Sequence, residues 1–258
     1  KTRNRSKICF RVFLCCTCTG CILHYWNPAL RPDIIPVRQP FKTVFYRKGA
    51  GSMKKTGAVL AAAGLSSRMG DFKPLLPFWD TTIAFHVTSM LRRLGADPVI
   101  VVTGYRAEEL EDHLKGTGAC FVRNTRYRHT QMFDSVKLGI QAALEGCERI
   151  LVMPMDLPAI TDDIIKQVME APGQIVRTVH DGEPGHPICM EGEIARRICT
   201  YTGDQGLKGA IEASGVPVED LEAGNESIYL DVDTREEYRE LLRWVCRQES
   251  SQRKCKMH

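Results

Sequence analysis

The sequence predicts an α/β protein, a three-layer sandwich in which a mostly parallel sheet lies between two layers of helices. Three observations carry that expectation. From Met53 onward, short apolar runs alternate with amphipathic stretches at helical spacing. The runs are apolar throughout, as strands covered on both faces are, rather than alternating in and out. No internal repeat or flexible linker interrupts the alternation, so one domain over residues 53–249 is the economical count.

The elements follow in order. Thr56 to Ala63 (TGAVLAAA) reads as a buried parallel strand. A helix is expected over Thr82 to Leu94, because Ile83, Val87, Met90, Leu91 and Leu94 form one apolar stripe. Asp97 to Gly104 (DPVIVVTG) is a second buried strand, Arg106 to Leu114 a short charged helix, and Ala119 to Val122 a third strand. Met132 to Leu144 is helical through Val136, Ile140, Ala143 and Leu144, and Arg149 to Asp156 (RILVMPMD) is a fourth strand. Thr161-Asp162-Asp163 is an N-cap signal ahead of Ile164 to Met169. Gln174 to Val179, Pro187 to Met190 and Ser227 to Val232 read as strands. The last helix, Thr234 to about Arg247, opens with a threonine cap and Glu236-Glu237 in its first turn. Residues 250–258 read as a polar tail.

Charge divides the chain. Residues 1–52 hold ten Lys/Arg and one acid, Asp33; residues 53–258 hold 25 basic and 30 acidic side chains, a net −5. Nothing in the acidic part has the basic footprint of a nucleic-acid binder. Residues 1–52 lack periodicity, and Arg11 breaks their apolar centre too early for a membrane span. They read as a segment outside the working enzyme, with Met53 the expected native initiator. Five cysteines crowd that segment, including the CxxC of Cys18 and Cys21, but no second CxxC or histidine pair completes a metal site. The other six are scattered singly, as in a reduced, cytoplasmic protein.

The chemistry concentrates where strands end. Leu60 to Pro74 (LAAAGLSSRMGDFKP) leaves the first strand with small residues, glycine, two hydroxyls, an arginine and a lysine. Glycine lets a backbone approach phosphate closely and aim N–H groups at it, while Arg68 and Lys73 supply cations for triphosphate oxygens. The stretch is neither a P-loop nor a GxGxxG turn. Asp156, held between Pro154 and Pro158 at the end of the fourth strand, suits a carboxylate on nucleotide-bound Mg²⁺; the alternative is a cap near Thr161. Asp233 is a cap for the last helix or a ligand of the same metal. His186, in Gly185-His186-Pro187, is a substrate-phosphate contact or a turn histidine. Asp204, in Gly203-Asp204-Gln205-Gly206, is a site residue or an ordinary Asp-turn. Asn124 and Ser135 are candidates for ribose or base hydrogen bonds.

Together these motifs resemble the MobA-like nucleotidyltransferases, most closely the molybdenum cofactor cytidylyltransferases. LAAAGLSSRMGDFKP resembles the family's LAAGxSxRMGxxK, Asp156 falls in xDxP, and Gly185-His186-Pro187 matches GHP. Gly203 to Gly206 matches GDxG and Asp231-Val232-Asp233-Thr234 matches DxDT, so the likeness runs in order from Met53 to Tyr238. It implies a Rossmann-like nucleotide-diphosphate transferase fold with a mixed sheet of about seven strands. It also implies Mg²⁺-dependent transfer of a nucleotidyl group from an NTP to the terminal phosphate of a cofactor precursor, with release of pyrophosphate. Ala62-Ala63-Gly64 resembles the cytidylyl form, whereas guanylyl enzymes carry a second glycine there; CTP is the expected donor over GTP, and molybdopterin the expected acceptor. One departure is Gln131-Met132, where the family carries Gly-Met.

The roles expected from this resemblance are specific. Ala62, Ala63, Gly64, Leu65 and Ser66 hold the nucleotide, the last three through backbone N–H groups. Arg68 neutralises pyrophosphate, Lys73 the α-phosphoryl group, and Asp156 with Asp233 holds Mg²⁺. His186 and Asp204 face the acceptor. A transient contact with a molybdoenzyme or its chaperone is expected, and none with nucleic acid or membrane. The rivals are cytidylyl or uridylyl transfer to a sugar or polyol phosphate, and a non-catalytic nucleotide-binding module.

Overall fold

Alternate residues of the central strands pack to opposite sides, which is what builds the three layers. A computed structural model describes residues 54–64 and 69–255. The expectations for residues 1–52 and for Leu65, Ser66 and Arg68 lie outside the described residues. Strand β1 (Thr56–Ala62) lies between β4 (Val99–Thr103) and β6 (Arg149–Pro154), parallel to both, with Leu60 opposite Val101 on one side and Met153 on the other. Ala58, Leu60, Val101, Leu151 and Met153 face one buried cluster, with α1 (Ile83–Arg93), α4 (Asp162–Glu170) and α7 (Arg235–Cys255) packed against it. Val59, Ile100, Val102, Ile150 and Val152 face the other, with α3 (Met132–Ala143), α5 (Gly192–Cys199) and α6 (Gly206–Ser214). Each fully buried aliphatic side chain contributes about 1.5–3 kcal/mol, so this double core, rather than helix propensity, fixes the frame.

The sheet has seven strands in the order β5-β4-β1-β6-β8-β7-β9. It is mostly parallel and mixed, as expected. β5 (Cys120–Arg123) pairs parallel with β4, and β8 (Glu183–Glu191) runs antiparallel to β6 and to β7 (Ile175–His180). β2 (Pro77–Phe78) and β3 (Thr81–Thr82) form a separate small hairpin, and α2 (Ala107–His113) follows β4. The cysteines among the described residues form no disulfide. No helix of the described residues is long and apolar enough to cross a membrane.

Two expectations are corrected. Ser227 to Val232 is not a strand: Glu226–Ile228 forms a 3₁₀ turn, capped where the Asn225 side chain accepts the Ser227 N–H at 3.0 Å. Ile228 and Val232 are buried against the first core cluster, so their spacing serves burial and not a ladder. The sheet edge is instead β9 (Val218–Glu222), parallel to β7, whose charged sequence VEDLE hides it from a hydrophobic scan. Helix α7 runs on to Cys255, past the end expected near Arg247.

Candidate active site

The carboxyl ends of β1 and β6 open onto a cavity of about 580 Å³, walled also by the start of β8 and by the chain entering α7. β1 delivers Ala61, Ala62 and Gly64 to it, and a Cβ built on Gly64 would meet nothing within 4 Å. Backbone at that point therefore faces open space, as a phosphate cradle requires. Lys73 stands on a 3₁₀ turn, Lys73–Leu75, whose second residue, Pro74, fixes the backbone. Asp156 follows β6 by one turn, tied down where the Met155 N–H donates to the Ala61 carbonyl at 3.1 Å.

Asp233 reaches the cavity because another residue caps the helix. The Glu237 N–H donates to the Thr234 hydroxyl at 3.2 Å, and Glu237 in turn accepts the backbone N–H groups of Asp233 and Thr234 at 3.0 and 2.7 Å. That reciprocal cap is made without the Asp233 carboxylate, and Asp233 lines the cavity. Thr161 likewise caps α4 through the Ile164 N–H, so Asp156 is not needed there. In both cases the cap is made by a neighbouring threonine, Thr161 or Thr234. The Lys73 ammonium lies 3.3 Å from the Asp156 carboxylate and donates to that of Asp233. Nearby Asp231 titrates above the usual carboxylate range, first through lost hydration and then through repulsion from Asp156, Asp233 and Glu237, against the opposing pull of Lys73.

His186, near the start of β8, lines the same cavity. Burial pushes its imidazole down to about 4, so the ring is neutral at pH 7. Gly185 beside it is a close-approach glycine: a Cβ there would meet Ile228 Cδ1 at 2.7 Å and the Tyr229 ring at 3.0 Å. The Tyr229 hydroxyl accepts the His180 N–H at 3.0 Å and donates back to the β7–β8 hairpin, fixing this wall. Tyr229, Ile228 and Met132 are cavity residues that sequence reasoning missed. The adjacent DxDT motif and the 67% exposure of an apolar Met132 are the signals that mark them.

A stability test follows from His186. An unfolded histidine titrates near 6.5, so between pH 4 and 6.5 the unfolded chain binds the additional proton and stability rises with pH. This one group contributes up to about 3 kcal/mol, fully present above about 6.5 and lost as pH falls to 4. Denaturant melts of His186→Gln are expected to show a smaller rise than wild type across that window. His180, raised by its hydrogen bond to Glu222, acts with the opposite sign and is common to both proteins. Equal slopes would rule out the lowered imidazole titration.

Other expected site residues stand apart from the cavity. Asn124 and Ser135 are 4% and 3% exposed and bond each other at 2.9 Å. The Asn124 amide also donates to Thr130 and accepts the Arg126 N–H, bonds that hold the turn after β5. Asp204 is exposed on the turn into α6, outside the cavity wall; Tyr201 fills the space beneath Gly203. Ala63 is buried and packs against Gly104, where a Cβ would come within 2.8 Å of the Ala63 carbonyl. Gln131 is exposed at the start of α3, and its neighbour Met132 is the one that lines the cavity.

Asp156 and Asp233, hard oxygen donors converging on one cation, fit a divalent metal ion. Among the described residues no group of three or more His, Cys, Asp or Glu is placed to hold one, so phosphate and water would have to complete its coordination. A crevice with an open glycine backbone, a lysine and two convergent carboxylates at the ends of a parallel sheet defines a nucleotide-handling transferase. The chain belongs to the family of the MobA-like NTP transferase domain, which matches residues 57–218, and is a nucleotidyltransferase. It is 32% identical over 195 residues to the molybdenum cofactor cytidylyltransferase of Escherichia coli K12, covering 72% of this chain and 95% of that one. A nucleotidyl transferase of Methanothermobacter superposes with a TM-score of 0.67 at 26% identity, covering 77% of this chain and all of that one. The Rv0371c protein of Mycobacterium tuberculosis, solved in complex with manganese, superposes with a TM-score of 0.59 at 25% identity, covering 74% and 98%.

Proposed function

We propose that the protein transfers CMP from CTP to the terminal phosphate of a molybdopterin-type cofactor. The observation that carries the reading is the convergence of Lys73, Asp156 and Asp233 beneath the open backbone at Gly64. The similarity to the Escherichia coli cytidylyltransferase, along nearly its whole length, supports the choice of CTP and acceptor. An acceptor phosphate oxygen bonds to the α-phosphorus while the α–β bridging bond breaks, and pyrophosphate leaves. The acceptor is already ionised near neutral pH, so no residue has to act as general base. The chain's work is therefore positioning and charge neutralisation. Gly64, Leu65 and Ser66 bind phosphate through backbone N–H groups, Arg68 neutralises pyrophosphate and Lys73 the α-phosphoryl group. Neutral His186 orients the acceptor by hydrogen bonding without adding charge. Asp156 and Asp233 would hold Mg²⁺, which supplies charge neutralisation across the phosphates. The expected setting is the cytoplasm, with product passed to a molybdoenzyme or its chaperone.

A thermal-shift panel of CTP, GTP, UTP and ATP with Mg²⁺, followed by pyrophosphate release over a range of acceptors, tests this. At 100 times Kd a native-state ligand stabilises by about 2.7 kcal/mol, which for a domain of this size is about 5–11 °C. A shift with CTP, and release with a molybdopterin-type acceptor, are the expected results. A shift with GTP alone would overturn the donor, and release with sugar or polyol phosphates alone would overturn the acceptor.

A further inference from the structure

We propose that the Lys73 ammonium is a built-in counter-ion that shuts divalent metal out of the nucleotide-free site, so that metal enters only with the triphosphate. This rests on reading Asp156 and Asp233 as the metal carboxylates. Those two acids come from distant parts of the chain, the end of β6 and the entry to α7, and one ammonium bridges both. Lys73 is the most enclosed of the three, at 13% exposure against 25% for Asp156 and 21% for Asp233. Pairing at that depth is only partly screened by water and salt.

A dication approaching these carboxylates must displace the ammonium. It gains little in return, because no third His, Cys, Asp or Glu among the described residues stands ready to join them. A triphosphate changes the balance on both sides. Its oxygens complete the coordination of the metal and give the displaced ammonium a new anionic partner. Backbone at Lys73 is fixed by Pro74, while the four-carbon stem leaves the ammonium free to exchange partners. Metal and nucleotide then bind with positive coupling, each raising the affinity of the other.

The test is a titration of the nucleotide-free full chain with Mn²⁺, read by electron paramagnetic resonance of free Mn²⁺ and by thermal shift. Lys73→Met and Lys73→Gln are expected to bind Mn²⁺ at least tenfold more tightly than wild type and to gain a Mn²⁺-dependent rise in Tm that wild type lacks. Lys73→Arg, which keeps the charge, is expected to stay weak. Adding Asp156→Asn to Lys73→Met is expected to abolish the gain. Equal Mn²⁺ affinity in wild type and Lys73→Met, or no Mn²⁺ binding in either, would overturn the proposal, as would a gain that survives Asp156→Asn. Failure of CTP or molybdopterin as substrates leaves these titrations unchanged, so the two readings fail separately.

Discussion

Lys73→Ala is expected to lower the rate of pyrophosphate release by about 10²–10³ at saturating CTP and Mg²⁺, the usual cost of losing one charge stabiliser. Its melting temperature in Mg²⁺ should stay within a few degrees of wild type. The asymmetry follows from where the side chain sits. Lys73 belongs to neither core cluster, and among the described residues its ammonium pairs with the Asp156 and Asp233 carboxylates. Truncation therefore removes charge from the reacting phosphates without opening a cavity in the sheet. Without divalent metal the same variant should be less stable, because Asp156, Asp231 and Asp233 then repel one another without the Lys73 charge between them. Mg²⁺ should restore most of that loss, and steady-state kinetics paired with melts at several Mg²⁺ concentrations check both halves. Near-normal turnover in Mg²⁺ would remove Lys73 from the catalytic machinery.

The fold was legible wherever burial imposed a pattern. β1, β4 and β6 are rich in Val, Ile, Leu and Ala because helices cover both faces, and α1, α3 and α4 carry apolar stripes because only one face is covered. Strand β9 escaped notice because an edge strand half in solvent needs no apolar run, and VEDLE supplies none. Helix α5 opens on a glycine and has only Ile194, Ala195 and Ile198 as its buried stripe, too little to stand out in eight residues. The segment at Ser227 to Val232 misled because apolar residues feeding a core from a loop look like those of a strand.

The candidate site was half legible for a related reason. Lys73, Asp156, Asp233 and His186 lie in separate short motifs, on a 3₁₀ turn, after β6, before α7 and within β8, and all four line one cavity. Asn124 and Ser135 have the right chemistry for a nucleotide, but polar groups this buried must be satisfied, and they satisfy each other. Which of those uses a polar residue serves is decided by three-dimensional neighbours that no local spacing encodes. Tyr229 is the reverse case: its ring and hydroxyl act through a hairpin remote in sequence, and the adjacent DxDT motif is its one local signal.

Asp156→Asn is expected to cost about 10²–10³ in turnover, comparable to Lys73→Ala, but with a different signature. Asparagine keeps the size of the side chain and an oxygen donor while losing the charge, so the Mg²⁺ concentration for half-maximal rate should rise as the plateau falls. Stability should change little, since Lys73 keeps Asp233 as its partner and the anchor from Met155 to the Ala61 carbonyl is backbone. Asp231→Asn is the informative contrast. Asp231 lines the same cavity but forms no ion pair among the described residues, and lost hydration raises its carboxyl above the ordinary value. Its amide variant should leave the Mg²⁺ dependence close to wild type. An Mg²⁺ dependence unmoved by Asp156→Asn and displaced by Asp231→Asn would exchange the two carboxylates in the site. A dependence moved by neither would take the metal away from this end of the sheet.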